Sequence, residues 1–181
     1  MTNASQSDLD AIPLSPTQIL RAEHRQIEEQ LNVLTAALRQ LGDRGAHVEV
    51  LDRIESVARY IDGEMALHHR KEEDCLFPFL EEFLASENLR LDARIADHED
   101  LNIMSSKFKE ALNECRELEP GRRATFAAQM LKGYGLYIVH LVREHLLKED
   151  QILFLVAEEY LTPEQEAQIL VRFADLEGTG A

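Results

Sequence analysis

Apolar residues recur every three or four positions along most of this chain, which is the spacing of amphipathic α-helices. The first such stripe consists of Leu20, His24, Ile27, Leu31, Leu34, Leu38 and Leu41. Ser15 before Pro16 is a typical helix start, because serine caps the first turn and proline suits the first helical position. The segment from Gly42 to Gly45 predicts the end of this helix.

The same spacing predicts three more long helices and a short one. Their expected bounds are residues 47–85, 89–117 and 122–160, and the short helix begins after Thr162 and Pro163. Pro78 is expected to kink or end the second helix locally. Gly133 and Gly135 indicate a bend or a close helix contact in the fourth helix.

Each of the later long helices carries polar residues within its predicted inner face. The second stripe is Ile54, Val57, Ile61, Met65, His68, Glu72, Leu76 and Phe79. The third is Leu91, Ile95, His98, Leu101, Phe108 and Leu112. The fourth is Phe126, Met130, Tyr137, Leu141, His145, Glu149, Ile152 and Val156, in which Tyr137 is expected to pack in the core.

Four long amphipathic helices with short connections predict an all-α fold, namely an up-down-up-down four-helix bundle with a short additional C-terminal helix. The length of 181 residues suits one such domain. The expected division is a flexible leader at 1–14, the bundle at 15–161, and the C-terminal helix and tail at 162–181.

The chemistry of the chain centres on two pairs of residues with the same spacing. His68 and Glu72 stand one helical turn apart within a stripe of core residues, and His145 and Glu149 repeat the pair. An uncompensated buried carboxylate costs several kcal/mol or more. Two such pairs on separate helices are what a dinuclear metal site in a bundle requires.

Single histidines on the other two helices complete a candidate ligand set. At about 1.5 Å rise per residue, the stripe histidines of all four helices can meet at one level. The predicted metal ligands are His24, His68, Glu72, His98, His145 and Glu149. The alternative for each histidine is a hydrogen-bonded core residue, and for each pair a solvated helix pair. Two divalent cations would compensate the buried acids, which a metal-free core would not.

The donor types restrict which metal is expected. Imidazole and carboxylate without thiolate suit iron or manganese better than a structural zinc site. Cys75 and Cys115 are too few for a disulfide framework and are interpreted as small core residues in a reducing cytoplasm. A formal charge of −15 disfavours nucleic acid and anionic membranes as partners. Neither a signal peptide nor a membrane span is predicted.

These residues resemble the hemerythrin-like, or HHE, cation-binding domain. The specific segments are HHRKEEDCLFP, which begins at His68, and EHLLKEDQILF, which contains His145. The resemblance covers residues 16–160 and implies two iron ions (Fe²⁺/Fe³⁺), with Glu72 and Glu149 bridging them and the histidines as terminal ligands. It also implies an oxo or hydroxo bridge.

Two positions depart from the oxygen-carrying members that the sequence resembles. Asn102 stands where those carriers place a second histidine, and this implies that one iron keeps a water, takes a protein ligand from elsewhere or has an open position. Asp150 stands where they place a ligand aspartate, but helical geometry favours Glu149 unless a π-bulge intervenes. The resemblance therefore points to iron-repair, nitric-oxide-handling or sensing relatives more than to oxygen carriers.

The other polar residues of this region are not expected to be metal ligands. His69 and Glu73 lie one step off the inner face and are expected outside the ligand shell or at the surface. His140 is expected to be exposed or hydrogen-bonded, and His47 to have no chemical role. Leu101, Leu141 and Ile152 are expected either to line a dry pocket for a diatomic ligand or to pack as ordinary core residues.

The expected function is binding or sensing of dioxygen, nitric oxide or peroxide at a di-iron centre. The alternative is an iron-donating or regulatory metal-binding module without gas chemistry, and a metal-free structural bundle is a third hypothesis. The sequence contains neither a nucleophile–base arrangement nor a phosphate-binding glycine loop. It therefore identifies no turnover reaction, although peroxidase- or catalase-like activity is compatible with an open di-iron site.

Overall fold

The structure is a computed structural model that describes residues 14–44, 47–86, 92–118 and 121–179. Its secondary structure within these ranges is entirely helical, which confirms the all-α expectation. The elements in chain order are α1 (Pro16–Arg44), α2 (Val48–Tyr60), π1 (Ile61–Met65), α3 (Ala66–Arg70), π2 (Lys71–Leu76), α4 (Phe77–Ser86), α5 (Asp92–Glu117), α6 (Arg122–Lys148), π3 (Glu149–Leu153), α7 (Phe154–Tyr160) and α8 (Pro163–Gly178). Residues 1–13, most of the predicted leader, lie outside the described residues, as do 45–46, 87–91, 119–120 and 180–181.

The predicted second and fourth long helices are confirmed as the continuous helical segments 48–86 and 122–160. Both contain π turns, in which an N–H pairs with the carbonyl five residues earlier: Phe77 with Glu72, and Phe154 with Glu149. The second segment continues through Pro78 to Ser86, so the helix does not end at the proline as considered from the sequence. The π2 turn ends at Leu76, two positions before Pro78. Turns of this kind are a known cause of helix bending.

Four helices surround a common core. Contacts join α1 to α2, α2 to α5, α5 to α6, and α6 back to α1, which gives a closed ring of neighbours. A second apolar cluster joins α4, α7 and α8 to the first turns of α1. The candidate ligands lie along the chain between these two clusters, because His24 separates Leu20 of the second cluster from Ile27 of the first.

The predicted inner face of the fourth helix is wrong at three of its positions. Phe126, Tyr137 and Ile152 are exposed at 62, 48 and 44%, so Tyr137 does not pack in the core and Ile152 does not line a dry pocket. The buried residues of α6 are Ala127, Leu131, Gly135, Ile138, Val139, Val142, His145 and Leu146. Apolar residues occupy adjacent faces of this helix, so spacing alone did not select the correct one.

The C-terminal helix α8 is longer than predicted, with 16 residues from Pro163 to Gly178. Thr162 and Gln165 form a reciprocal capping box at its start, which confirms the predicted N-cap. The helix packs against π2 and α1 through its buried residues Ile169 and Phe173. It therefore covers the segment that carries Glu72.

Candidate metal centre

All six predicted ligands are buried in the interior. Glu72 and Glu149 are 0% exposed, and none of the four histidines exceeds 4%. The imidazoles come from α1, α3, α5 and α6, and the two carboxylates lie at or near the start of π2 and π3. The side chains that the sequence predicted to meet at one level are therefore brought together.

The first ligand group is formed by His24, His68, Glu72 and Glu149. The Nε2 atoms of His24 and His68 lie 3.2 Å apart. Glu72 Oε1 lies 3.6 Å from Nε2 of His68, and Glu149 Oε2 lies 3.5 Å from Nε2 of His24. Two imidazole nitrogens and two carboxylate oxygens thus face one small volume.

The second ligand group is formed by His98, His145 and the other oxygens of the same two glutamates. The Nε2 atoms of these histidines lie 2.9 Å apart. Glu72 Oε2 lies 3.6 Å from Nε2 of His98, and Glu149 Oε1 lies 2.8 Å from Nε2 of His145. Each glutamate therefore directs one oxygen to each group, which is the arrangement of a bridging carboxylate.

The buried carboxylates lack ordinary compensation. None of the four oxygens of Glu72 and Glu149 has a hydrogen-bond partner of normal geometry. Burial and repulsion by Glu149 raise the pKa of Glu72 well above its ordinary value. Burial also opposes ionisation of Glu149, but His145 and His24 outweigh it and lower the pKa of that group. Cations bound in the two ligand groups would compensate the charges of both carboxylates.

Each of the four imidazoles has a carboxylate from another helical segment near its outer nitrogen. His68 Nδ1 lies 2.8 Å from Glu23 Oε2, and His24 Nδ1 lies 3.2 Å from Asp150 Oδ1. His98 Nδ1 contacts Glu73, whereas His145 Nδ1 lies 3.6 Å from Asp97 Oδ2 and has no hydrogen-bond partner. An acid behind a ligating histidine fixes its tautomer and orientation in many metal sites.

The sequence interpretation missed two of these outer acids. Glu23 and Asp97 each directly precede a stripe histidine but lie near the histidine of another helix, so no signal within one helix identifies their roles. Glu73 contacts His98 from outside the ligand groups, as expected. Asp150 contacts His24 and Arg21 and is absent from the groups, although a π turn does begin at Glu149.

His69 lies inside the centre, so its expected surface alternative is wrong. Its side chain is 7% exposed, and its Nε2 meets no hydrogen-bond partner. Burial and the neighbouring imidazole of His98 lower its pKa well below the ordinary value, which keeps the ring neutral. Asn102, by contrast, is exposed on α5, as are His47 and His140 on their own segments.

The donor chemistry fits a pair of cations. Neutral imidazoles and bridging carboxylates are good ligands for divalent first-row metals. Burial lowers the pKa of His68 and of His98, which favours the neutral form that binds metal. Cys75 and Cys115 are buried and free but belong to none of the potential ligand groups among the described residues.

The fold and this site define an all-helical cation-binding protein. The model of the hemerythrin HHE cation-binding domain matches residues 15–157, and the chain belongs to that family. The resemblance noted in the sequence is thereby confirmed. A search of curated proteins found no match. Among the described residues, no helix combines the length and apolar character needed to cross a membrane.

Proposed function

We propose that this protein holds two iron ions, one in each ligand group, and binds or senses a small ligand there. Dioxygen, nitric oxide and peroxide are the ligands of this class. The proposal includes the up-down-up-down order of the four long helices, which their short connections favour. It also includes a reducing cytoplasmic location, which the two free buried thiols favour.

The observation that carries the proposal is the orientation of Glu72 and Glu149. Both side chains are completely buried, and each faces one imidazole pair with each oxygen. Two isolated carboxylates in an apolar interior would be strongly unfavourable. Two cations, one held in each ligand group, would compensate the charge of both carboxylates.

Iron is the metal that the donor set favours. Terminal imidazoles with bridging carboxylates suit iron or manganese, whereas structural zinc sites of the cysteine type need thiolates. Bound iron would supply redox-active coordination positions for a small ligand. The outer acids hold the imidazoles with Nε2 directed inward, and the two apolar clusters on either side keep bulk water away.

A surface cleft lies beside the centre. It has a volume of about 460 Å³ and is lined in part by Arg21, His24, Leu146 and Asp150. Leu146 is buried and directly follows His145 in the chain. Since His24 also belongs to the first ligand group, the cleft reaches the edge of the centre.

Metal analysis combined with spectroscopy tests the proposal. Protein purified without added metal, or reconstituted with Fe²⁺ under argon, is expected to contain two irons per chain by elemental analysis. Exposure to dioxygen, nitric oxide or peroxide is then expected to change its near-ultraviolet and visible absorption. A chain that takes up no metal would overturn the proposal. A chain that binds two irons but shows no change in absorption with any of the three ligands would overturn the gas-binding part.

An iron-handling or regulatory module is the second candidate. It is favoured by an ion-pair chain that runs from the centre to the surface: His68 to Glu23, Glu23 to Lys71, and Lys71 to Glu177 on α8. Such a chain connects metal occupancy to the outer helix. This candidate predicts a large change in stability on chelation and no spectral response to gases.

A further inference from the structure

We infer that His69 is a fifth imidazole ligand and binds the cation of the second group through Nε2. The inference rests on the two-cation centre proposed above. His69, His98 and His145 form a third potential ligand group, which shares two imidazoles with the second group and does not include Glu72 or Glu149.

His69 lies close to the imidazole pair of the second group. His69, His98 and His145 each offer one ligand atom, and these atoms lie within 4.8 Å of one another. The His69 ring stacks on His98 with centroids 3.8 Å apart and planes inclined by 11°, and it meets His145 edge-on at 5.6 Å. Because the in-plane lone pairs of nearly parallel rings do not converge, the His69 ring would turn out of this stacked orientation to share a cation with His98 and His145.

One ring nitrogen of His69 lacks a hydrogen bond. Nε2 of His69 is buried and has no hydrogen-bond partner in the structure. A buried polar atom without a partner costs about 1–3 kcal/mol, and ordinary core histidines avoid this cost through a hydrogen bond. Coordination of a cation would satisfy the lone pair of this nitrogen.

Asn102 does not contribute to the second group, because its side chain is exposed on α5. His69 approaches the same imidazole pair from α3, on the neighbouring helical segment. The second group can therefore gain an imidazole from α3 but no ligand from Asn102.

Metal titration of matched variants tests the assignment. Wild type, His69→Gln, His69→Phe and the exposed control His140→Gln are loaded with Co²⁺ and competed with a chromophoric chelator. If His69 is a ligand, Gln and Phe each weaken one of two sites by about tenfold or more, because metal affinity is this sensitive even to outer-shell changes. The control keeps wild-type affinity at both sites.

Two results would overturn the assignment. One is wild-type affinity at both sites in His69→Gln. The other is wild-type affinity in His69→Phe alone, which would mean that the ring only packs against His98. Far-ultraviolet circular dichroism of the metal-free variants shows whether each remains helical.

A measurement on the wild-type protein keeps the test decisive if a variant does not fold. ¹H NMR of the Co²⁺-loaded chain is expected to show hyperfine-shifted ring signals from five of the seven histidines. Four such histidines, with His69 unshifted, would refute the inference while leaving the two-cation centre intact. A wild-type chain that binds fewer than two Co²⁺ ions would instead overturn the proposed function, and this inference with it.

Discussion

Glu23 Oε2 lies 2.8 Å from Nδ1 of His68, on a different helix and 45 positions away in the chain. The contact directs Nε2 of His68 toward the first ligand group. Burial opposes ionisation of Glu23, but His68 and Lys71 outweigh it and lower its pKa. The carboxylate is therefore charged near neutral pH and stabilises the orientation of the imidazole.

Replacement of this acid is expected to weaken metal binding without removing a ligand. In Glu23→Gln the amide no longer fixes the His68 tautomer, and affinity for one cation should fall about 10–100-fold. Glu29→Gln on the exposed face of α1 is the matched control and should not change affinity. The measurement is competition of bound Fe²⁺ with a chelator under argon. Equal affinities in the two variants would contradict the role assigned to Glu23.

Loss of a bridging ligand and loss of a terminal ligand should have different stoichiometric effects. Glu72→Ala is expected to disturb both cations, because the two oxygens of Glu72 face different groups. His24→Ala should weaken only the cation of the first group. Iron content per chain after dialysis measures both effects. One iron retained at wild-type affinity in Glu72→Ala would show that this carboxylate does not bridge.

The metal-free protein should respond to Glu72 in the opposite direction. Without cations, the fully buried Glu72 faces Glu149, and its charge is unfavourable. Glu72→Gln is therefore expected to raise the melting temperature of the chelator-treated protein and to abolish the increase that iron gives the wild type. Calorimetry with and without chelator measures this. A lower melting temperature in the metal-free variant would contradict the electrostatic account.

Two glycines of α6 provide a matched pair for packing. A Cβ on Gly135 would lie 2.6 Å from Leu38 Cδ1 and 3.0 Å from Phe108 Cε2. Gly135→Ala is expected to lower the free energy of unfolding by about 1–3 kcal/mol through overpacking. Gly133 has open space around it, so Gly133→Ala should raise that free energy by about 0.5–1 kcal/mol through helix propensity. Urea denaturation measures the free energy of unfolding of both variants. A change of the same sign in both would contradict the close contact at Gly135.

Lys71 should be important for the attachment of α8. It is 2% exposed, and its ammonium pairs with Glu23 and, at 2.6 Å, with Glu177 on α8. Lys71→Ala leaves Glu23 without this partner and is expected to reduce the free energy of unfolding by about 1–3 kcal/mol. The half-exposed partner allows a milder comparison: Glu177→Gln should cost at most about 1 kcal/mol. Denaturant titration measures the free energy of unfolding of both variants. An equally small loss in Lys71→Ala and Glu177→Gln would show that these ion pairs contribute little to stability.

Alkaline pH should act on stability through Cys115. Burial, and then the Glu114 carboxylate, raise the pKa of this thiol to about 11. An unfolded cysteine ionises near pH 8.5, so between about 8.5 and about 11 the unfolded chain loses this proton while the folded chain keeps it. The free energy of unfolding should therefore fall as pH rises through this window, and less steeply in Cys115→Ala. Urea titrations from pH 8 to 10 measure the slope, and identical slopes would contradict the shift.

Several features of the fold and site followed from the sequence alone. Regular spacing on the first helix identified Leu20, His24 and Ile27 as one buried face, since each side chain returns to that face after a turn. The same periodicity placed the two His–Glu pairs in the interior. Because buried acids are unfavourable without compensation, the two pairs then indicated cations between them.

Other features depended on tertiary packing. The phase of α6 was decided by its neighbours, because both Tyr137 and Ile138 suit an apolar face and only the second lies against the core. Glu23, Asp97 and His69 act across helix interfaces, so no spacing within one helix connects them to their partners. Local periodicity thus determined which helical faces are buried, whereas the relative rotation and approach of the helices decided which side chains meet.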